Sequence, residues 1–168
     1  MKENLSKNPL IPAHARSDAS NRIDLPKNFS ACIPWIRGQE KIPAWLLLLS
    51  AGRFRLLSDE QVKNDPQLGP VRSLISEGAS AITDEHTSEP TCSEEVGRAA
   101  LVARLLPTEV FPHGQGWRIT FPKAFRVFAP DDCDKRDFMI LFSLEGYGEI
   151  WYTNVLRKAA VLPLDSQQ

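Results

Sequence analysis

RITFPKAF, running from Arg118 to Phe125, decides the fold because it occurs twice: RIDLPKNF stands at residues 22–29. Arg, Ile, Pro, Lys and Phe recur in the same places at a constant offset of 96 residues (118 minus 22). Each copy is followed by a short apolar segment, a run of large hydrophobics, a Gly turn and a second hydrophobic run. The first runs are residues 46–49 and 139–142. The turns are Ala51-Gly52 and Gly146-Tyr147-Gly148, and the second runs are residues 54–57 and 149–152. Repetition at a fixed offset means that one supersecondary unit has been used twice, and it governs how every other segment is read.

Within the unit, Arg22-Ile23-Asp24-Leu25 alternates polar and apolar residues, as a strand with one buried face does. Pro26 ends it, because proline has no N–H to give to a sheet ladder. Residues 27–33 have room for about two turns of helix before Pro34, with Phe29, Cys32 and Ile33 inward. The unbroken apolar run from Trp45 to Leu49 predicts a strand buried on both faces. Ser58 is placed to cap a helix, with Asp59 and Glu60 favourable in its first turn. In the second copy Ile119 and Phe121 are the apolar positions of a strand that Pro122 ends. Residues 123–128 then form a helix with Phe125 and Phe128 on the packed side. Residues 138–144 and 149–152 form a hairpin, and Thr153 or Asn154 caps a last helix that Pro163 ends. Residues 94–106 also have helical spacing, stopped by Pro107.

One copy has too few strands to cover both of its own faces. Two copies can pair their hairpins, share one core and remove exposed edges. The expected fold is therefore mainly β with short helices, a pseudo-two-fold β-barrel made from two tandem repeats. The expected division is a flexible tail at 1–17, a first repeat at 18–63, a connector with an acidic flexible loop at 64–97, and a second repeat with its leading helix at 98–162.

Composition bounds the function. At 168 residues and 42% hydrophobic the chain can build a core, so global disorder is not expected. It has no apolar run long enough for a transmembrane helix, and residues 1–10 lack the apolar centre of a signal peptide. Cys32, Cys92 and Cys133 are odd in number and far apart, which fits a reducing cytoplasm. The formal net charge is −1, yet it is unevenly spread. Between Arg72 and Arg98 there is no Lys or Arg and there are six acids; without that window 20 basic face 15 acidic residues, a balance of +5. The repeats are mildly basic and the connector is acidic.

The run GWRITFPKAFRVFA at residues 116–129, with MILFS at 139–143 and EIWY at 149–152, resembles the SpoVT-AbrB family of swapped-hairpin or double-psi barrels. Over residues 18–162 the chain resembles the MraZ family of bacterial transcription regulators, which carry two such units. Their pattern is a D-x-K-G-R loop, a strand ending in Pro, and a helix-then-strand entry to the second unit, matched here by VGRAALVARLLPTEVFP at residues 96–112. The first loop reads Asp18-Ala19-Ser20-Asn21-Arg22, with Ser20 and Asn21 where the family has Lys and Gly. In the second unit Gly116-Trp117-Arg118 carries an extra residue and an indole. The resemblance implies a cytoplasmic, nucleoid-associated protein that binds double-stranded DNA and assembles into a homo-oligomer, which in that family is a ring. It implies DNA contacts by Arg22 and Arg118, with Ser20 and Asn21 in the loop. Arg on a turn can fork onto a phosphate or onto guanine, and Lys27 and Lys123, opening the segments after the prolines, can reach phosphates nearby.

Enzymatic signals are missing. His14, His86 and His113 are isolated, and none stands at metal-ligand spacing with a cysteine. Acidic neighbours raise the pKa of the Cys133 thiol, the wrong direction for a nucleophile. Asp131-Asp132 suits turn and cap duty. No phosphate-loop, nucleophile-elbow or dinucleotide fingerprint occurs. No cofactor, metal, small-molecule substrate or membrane partner is expected. Two functions stay open: a sequence-specific DNA-binding regulator, or an oligomeric scaffold that keeps the barrel and has lost DNA binding. Trp35, Trp45, Phe111 and Trp117 exceed what one small barrel easily hides, which predicts an oligomer larger than a dimer.

Overall fold

The structure is a computed structural model and describes residues 12–27, 32–77, 102–142 and 147–165, with side chains through residue 159. Eight strands, β1 (Ala13–Arg16), β2 (Arg22–Leu25), β3 (Ile42–Ser50), β4 (Arg53–Ser58), β5 (Leu105–His113), β6 (Gly116–Thr120), β7 (Asp137–Phe142) and β8 (Gly148–Tyr152), form one antiparallel sheet in the order β1-β7-β8-β4-β3-β5-β6-β2. Its two end strands, β1 and β2, come back beside each other, so the sheet curls into a nearly closed barrel. Helices α1 (Asp59–Asn64) and α2 (Leu68–Ser76) follow β4, and α3 (Thr153–Asp165) follows β8. A 3-10 helix at Lys123–Phe128 follows β6.

The register ties the two copies of the octamer together. β2 pairs with β6 so that Ile23 faces Ile119, and β4 pairs with β8 so that Phe54 faces Ile150. Both pairs are 96 positions apart, so equivalent residues of the two copies meet in each ladder. The β3–β4 hairpin lies between β5 and β8, and the β7–β8 hairpin lies between β1 and β4. Each hairpin is thus flanked by strands from the other half of the chain.

The inner face explains why these strands stay together. Ile23, Leu25, Leu46, Phe54, Leu56, Val110, Ile119, Phe121, Ile140 and Ile150 alternate inward and are almost wholly buried. Phe54 packs on Phe121 and on Phe125 at ring separations of 5.0 Å, and Phe138 stacks on Tyr152 at 4.8 Å. Burying one such ring contributes about 1.5–3 kcal/mol.

A second, smaller cluster sits outside the barrel. Trp45, Leu57, Val62, Leu68, Val71 and Leu105 are buried together beneath α1 and α2. That is why the Trp45 run is buried on both faces: Leu46 and Leu48 point into the barrel while Trp45 points at the helices. Ser58 caps α1 as expected and completes a capping box with Gln61, accepting from its N–H at 3.1 Å while the Gln61 side chain accepts from the Ser58 N–H at 2.9 Å.

Several expectations change. Residues 13–16, read as part of a tail, form β1 and pair with β7 from Ala13–Ile140 to Arg16–Asp137; the small side chains of Ala13 and Ala15 gave little hydrophobic signal. Leu105 and Leu106, read as the end of a helix, open β5. Pro107 does not break that strand, because it pairs with Trp45 of β3 where β5 has no second neighbour among the described strands, and Pro112 pairs with Trp117 of β6 beyond the last β3 partner. Helix α3 runs past Pro163 to Asp165. Trp45 is not a surface aromatic, and Trp35, Phe111 and Trp117 are only partly exposed, so the four residues do not make the broad apolar patch expected of them. The helix at 27–33 falls largely, and the acidic loop wholly after Glu77, outside the described residues.

Candidate functional site

Residues 18–22 form a compact turn at the start of β2. Asp18 organises it: its Oδ1 accepts from the backbone N–H groups of Ser20 (2.8 Å) and Arg22 (2.9 Å), the Asx-type turn that short carboxylates favour. Backbone bonds close the loop, Asn21 N–H to Asp18 O at 3.1 Å and Asp18 N–H to Arg22 O at 3.0 Å. Asn21 takes a left-handed φ of 60°, which Asn tolerates better than most residues. It is 4% exposed, and its carbonyl accepts from Phe121 N–H at 2.7 Å, extending the β2–β6 ladder by one rung. Asn21 thus shapes the turn from inside, whereas Ser20 is exposed at its tip.

On the outer face of the β2–β6 ladder the two motif arginines share one patch. Asp24 pairs with Arg118 and Arg22 with Thr120, so Arg22, Asp24, Arg118 and Thr120 all point away from the core. Arg22 and Arg118 are diagonal neighbours, about 7–8 Å apart by sheet geometry. Each is met by a carboxylate. Arg22 Nε donates to Asp18 Oδ2 at 2.8 Å. Arg118 Nε donates to Asp24 Oδ1 at 2.6 Å, and its Nη1 lies 3.8 Å from Asp18 Oδ2. Arg22 retains 42% of its side-chain surface and Arg118 only 15%. The Arg22 N–H and then the Ser20 N–H and Arg22 guanidinium hold the Asp18 carboxyl below its usual range against the opposing effect of partial burial. Arg118, first through its hydrogen bond, does the same to Asp24, and Asp24 in turn strengthens the hold of Arg118 on its proton.

The lysines flank this patch from opposite ends. Lys27, exposed after β2, lies 3.3 Å from Gln115 Oε1 in the β5–β6 turn. Lys123, exposed, opens the 3-10 helix after β6. The antiparallel register therefore sets Lys123 toward the Arg22 end and Lys27 toward the Arg118 end. Of the six residues named from sequence, Arg22 and Arg118 lie on the β2–β6 ladder, Ser20 precedes it, and Lys27 and Lys123 follow its two strands; all are exposed or half-exposed except Arg118, which is mostly covered, and Asn21, which is buried beneath the turn.

Sequence reading placed Asp18 at the head of the first loop but missed that Asp24 closes an ion pair with Arg118. The signal was available: setting the two octamers antiparallel about Ile23 and Ile119 places Asp24 opposite Arg118. A second charged cluster also escaped notice. Glu149, 2% exposed on β8, accepts from Arg53 Nε (2.9 Å) and Nη2 (2.6 Å) and lies 4.0 Å from Arg55 Nη2. The Arg53 guanidinium stands 4.8 Å over the Trp151 ring. Burial, and after it Asp132, pushes the Cys133 thiol up, away from a reactive thiolate at neutral pH. Among the described residues no three His, Cys, Asp or Glu groups gather as metal ligands, and no helix is long and apolar enough to cross a membrane. In comparisons with known proteins, no family model matches the chain and no curated protein matches it.

Proposed function

We propose that the chain is a swapped-hairpin barrel of the SpoVT-AbrB type, built from two tandem repeats on the plan of the MraZ family, and that it acts as an oligomeric, sequence-specific regulator on double-stranded DNA. The observation that carries this reading is the double rung Ile23–Ile119 and Phe54–Ile150. Equivalent residues of two repeats face each other in this way when the repeats are related by a two-fold axis and exchange hairpins. The same arrangement brings the two motif arginines onto one outer face with a lysine at each end, a layout suited to phosphate contacts along a duplex. Assembly multiplies weak contacts through effective concentration. Light scattering at micromolar concentration tests assembly: a mass above a dimer is expected, and a monomer overturns it.

A gel shift on duplex DNA from upstream of its own gene tests the function. Retardation that weakens with added salt is expected; no retardation at low salt overturns it. The scaffold reading draws on one specific observation: Asp18 and Asp24 match the two arginines in charge. In that case the barrel assembles normally and no duplex binds.

A further inference from the structure

The two halves of the arginine patch are not equivalent. By the 96-residue offset, the place held by Asp24 in the first copy is held by Thr120 in the second. Arg22 therefore faces a neutral residue across the ladder and, among the described residues, is bonded by Asp18 of its own loop, while Arg118 faces Asp24 and is bonded across the strands. Asp24 itself is largely exposed, whereas Arg118 is mostly covered. A phosphate approaching Arg118 meets a carboxylate already in the fork, and one approaching Arg22 meets a more exposed guanidinium.

We propose that Asp24 is a built-in competitor for DNA phosphate, so that Arg22 makes the contact and Arg118 is held in reserve as the residue that positions β2 against β6. This deepens the DNA-binding reading and rests on it. Releasing Arg118 adds one phosphate contact per subunit. Each contact contributes about 0.9 to the slope of log affinity against log salt, so one more makes affinity fall about 3.5-fold further between roughly 50 and 200 mM salt.

The test is fluorescence anisotropy of a labelled upstream duplex with the full chain, its Asp24→Asn variant and its Thr120→Asp variant, each titrated with salt and each checked by thermal melting. Asp24→Asn is expected to bind more tightly at low salt, with a slope steeper by about one unit. Thr120→Asp sets a carboxylate opposite Arg22 and is expected to bind more weakly with a shallower slope. If the parent chain binds no duplex at low salt, the DNA reading itself fails. If the parent binds and both variants keep its slope, or Asp24→Asn binds more weakly while still folded, the competitor role fails. Should Asp24→Asn not fold, an unchanged Thr120→Asp slope still overturns the proposal.

Discussion

Removing Arg53 tests whether the two copies are joined by charge as well as by packing. Arg53 and Glu149 are 96 positions apart, so equivalent places in the two repeats hold opposite charges on the outer face of the β4–β8 ladder. Glu149 is almost fully buried and takes both of its short bonds, at 2.9 and 2.6 Å, from Arg53. Breaking a buried pair by removing one partner costs about 3–5 kcal/mol. Here Arg53 is about one-third exposed and Arg55 remains 4.0 Å away, so water and the second guanidinium recover part of the loss. The Trp151 contact adds about 0.5–1 kcal/mol to what is removed. Arg53→Ala is therefore expected to destabilise by about 2–3 kcal/mol, a fall in Tm of about 4–12 °C for a chain of this size. Urea unfolding followed by tryptophan fluorescence measures it, alone and in a cycle with Glu149→Gln. The cycle should give a coupling of about 1.5–3 kcal/mol, the range for hydrogen bonds to charged groups. Additivity within about 0.5 kcal/mol would refute the idea that the pair joins the repeats.

Three more expectations follow from individual groups. Arg22→Ala should leave Tm within a degree or two while weakening duplex binding by about 1–3 kcal/mol per engaged base contact, or flattening the salt slope by about one if only phosphate is touched; Arg118→Ala should change stability more and binding less. Asp59, bonded first by Arg72 (2.7 Å to each oxygen) and then by Trp45 Nε1 (2.8 Å), has its carboxyl pulled down from 3.8 to about 2. Its contribution is complete above the unfolded value and lost as pH falls through the folded one, so Asp59→Asn should cost about 1–2 kcal/mol at pH 7 after discounting for solvent exposure, and the gap to the parent should close between about pH 4 and 2. Gly52→Ala places a Cβ 2.7 Å from Val155 Cγ2 at a φ of 82°; a loss of about 1–3 kcal/mol in urea melts is expected, and an unchanged melt would mean that the β3–β4 turn and α3 yield freely.

The sequence made the repeat and its strand-turn-strand punctuation legible because proline, glycine and alternation act locally. The cap at Ser58 and the double burial of the Trp45 run were readable for the same reason. β1 was not, since Ala13 and Ala15 carry almost no hydrophobic contrast. The opening of β5 was not, since a proline stops a strand only where its missing N–H faces a neighbour, and among the described strands Pro107 has β3 on one side alone. What covers the outer side of Trp45 was not legible, and it was counted among the aromatics one barrel could not hide, because the cover comes from α1 and α2, elements distant from its own strand neighbours. At the site, the positions of Arg22 and Arg118 followed from the motif, but their acid partners depend on cross-strand register. Asp24 becomes the partner of Arg118 only once β2 is laid against β6. Glu149 likewise looked like an ordinary polar strand residue until β4 brought Arg53 and Arg55 against it.

The most direct measurement is the affinity of the full chain for its upstream duplex against a scrambled duplex of equal length and composition, by anisotropy across a salt series. A regulator that reads bases through the ladder arginines binds the upstream duplex about 10³-fold or more tightly than the scrambled one at physiological salt, with affinity falling steadily as salt rises. Equal affinity for the two duplexes contradicts sequence-specific recognition, and no binding to either at low salt contradicts a DNA-binding role for the patch altogether.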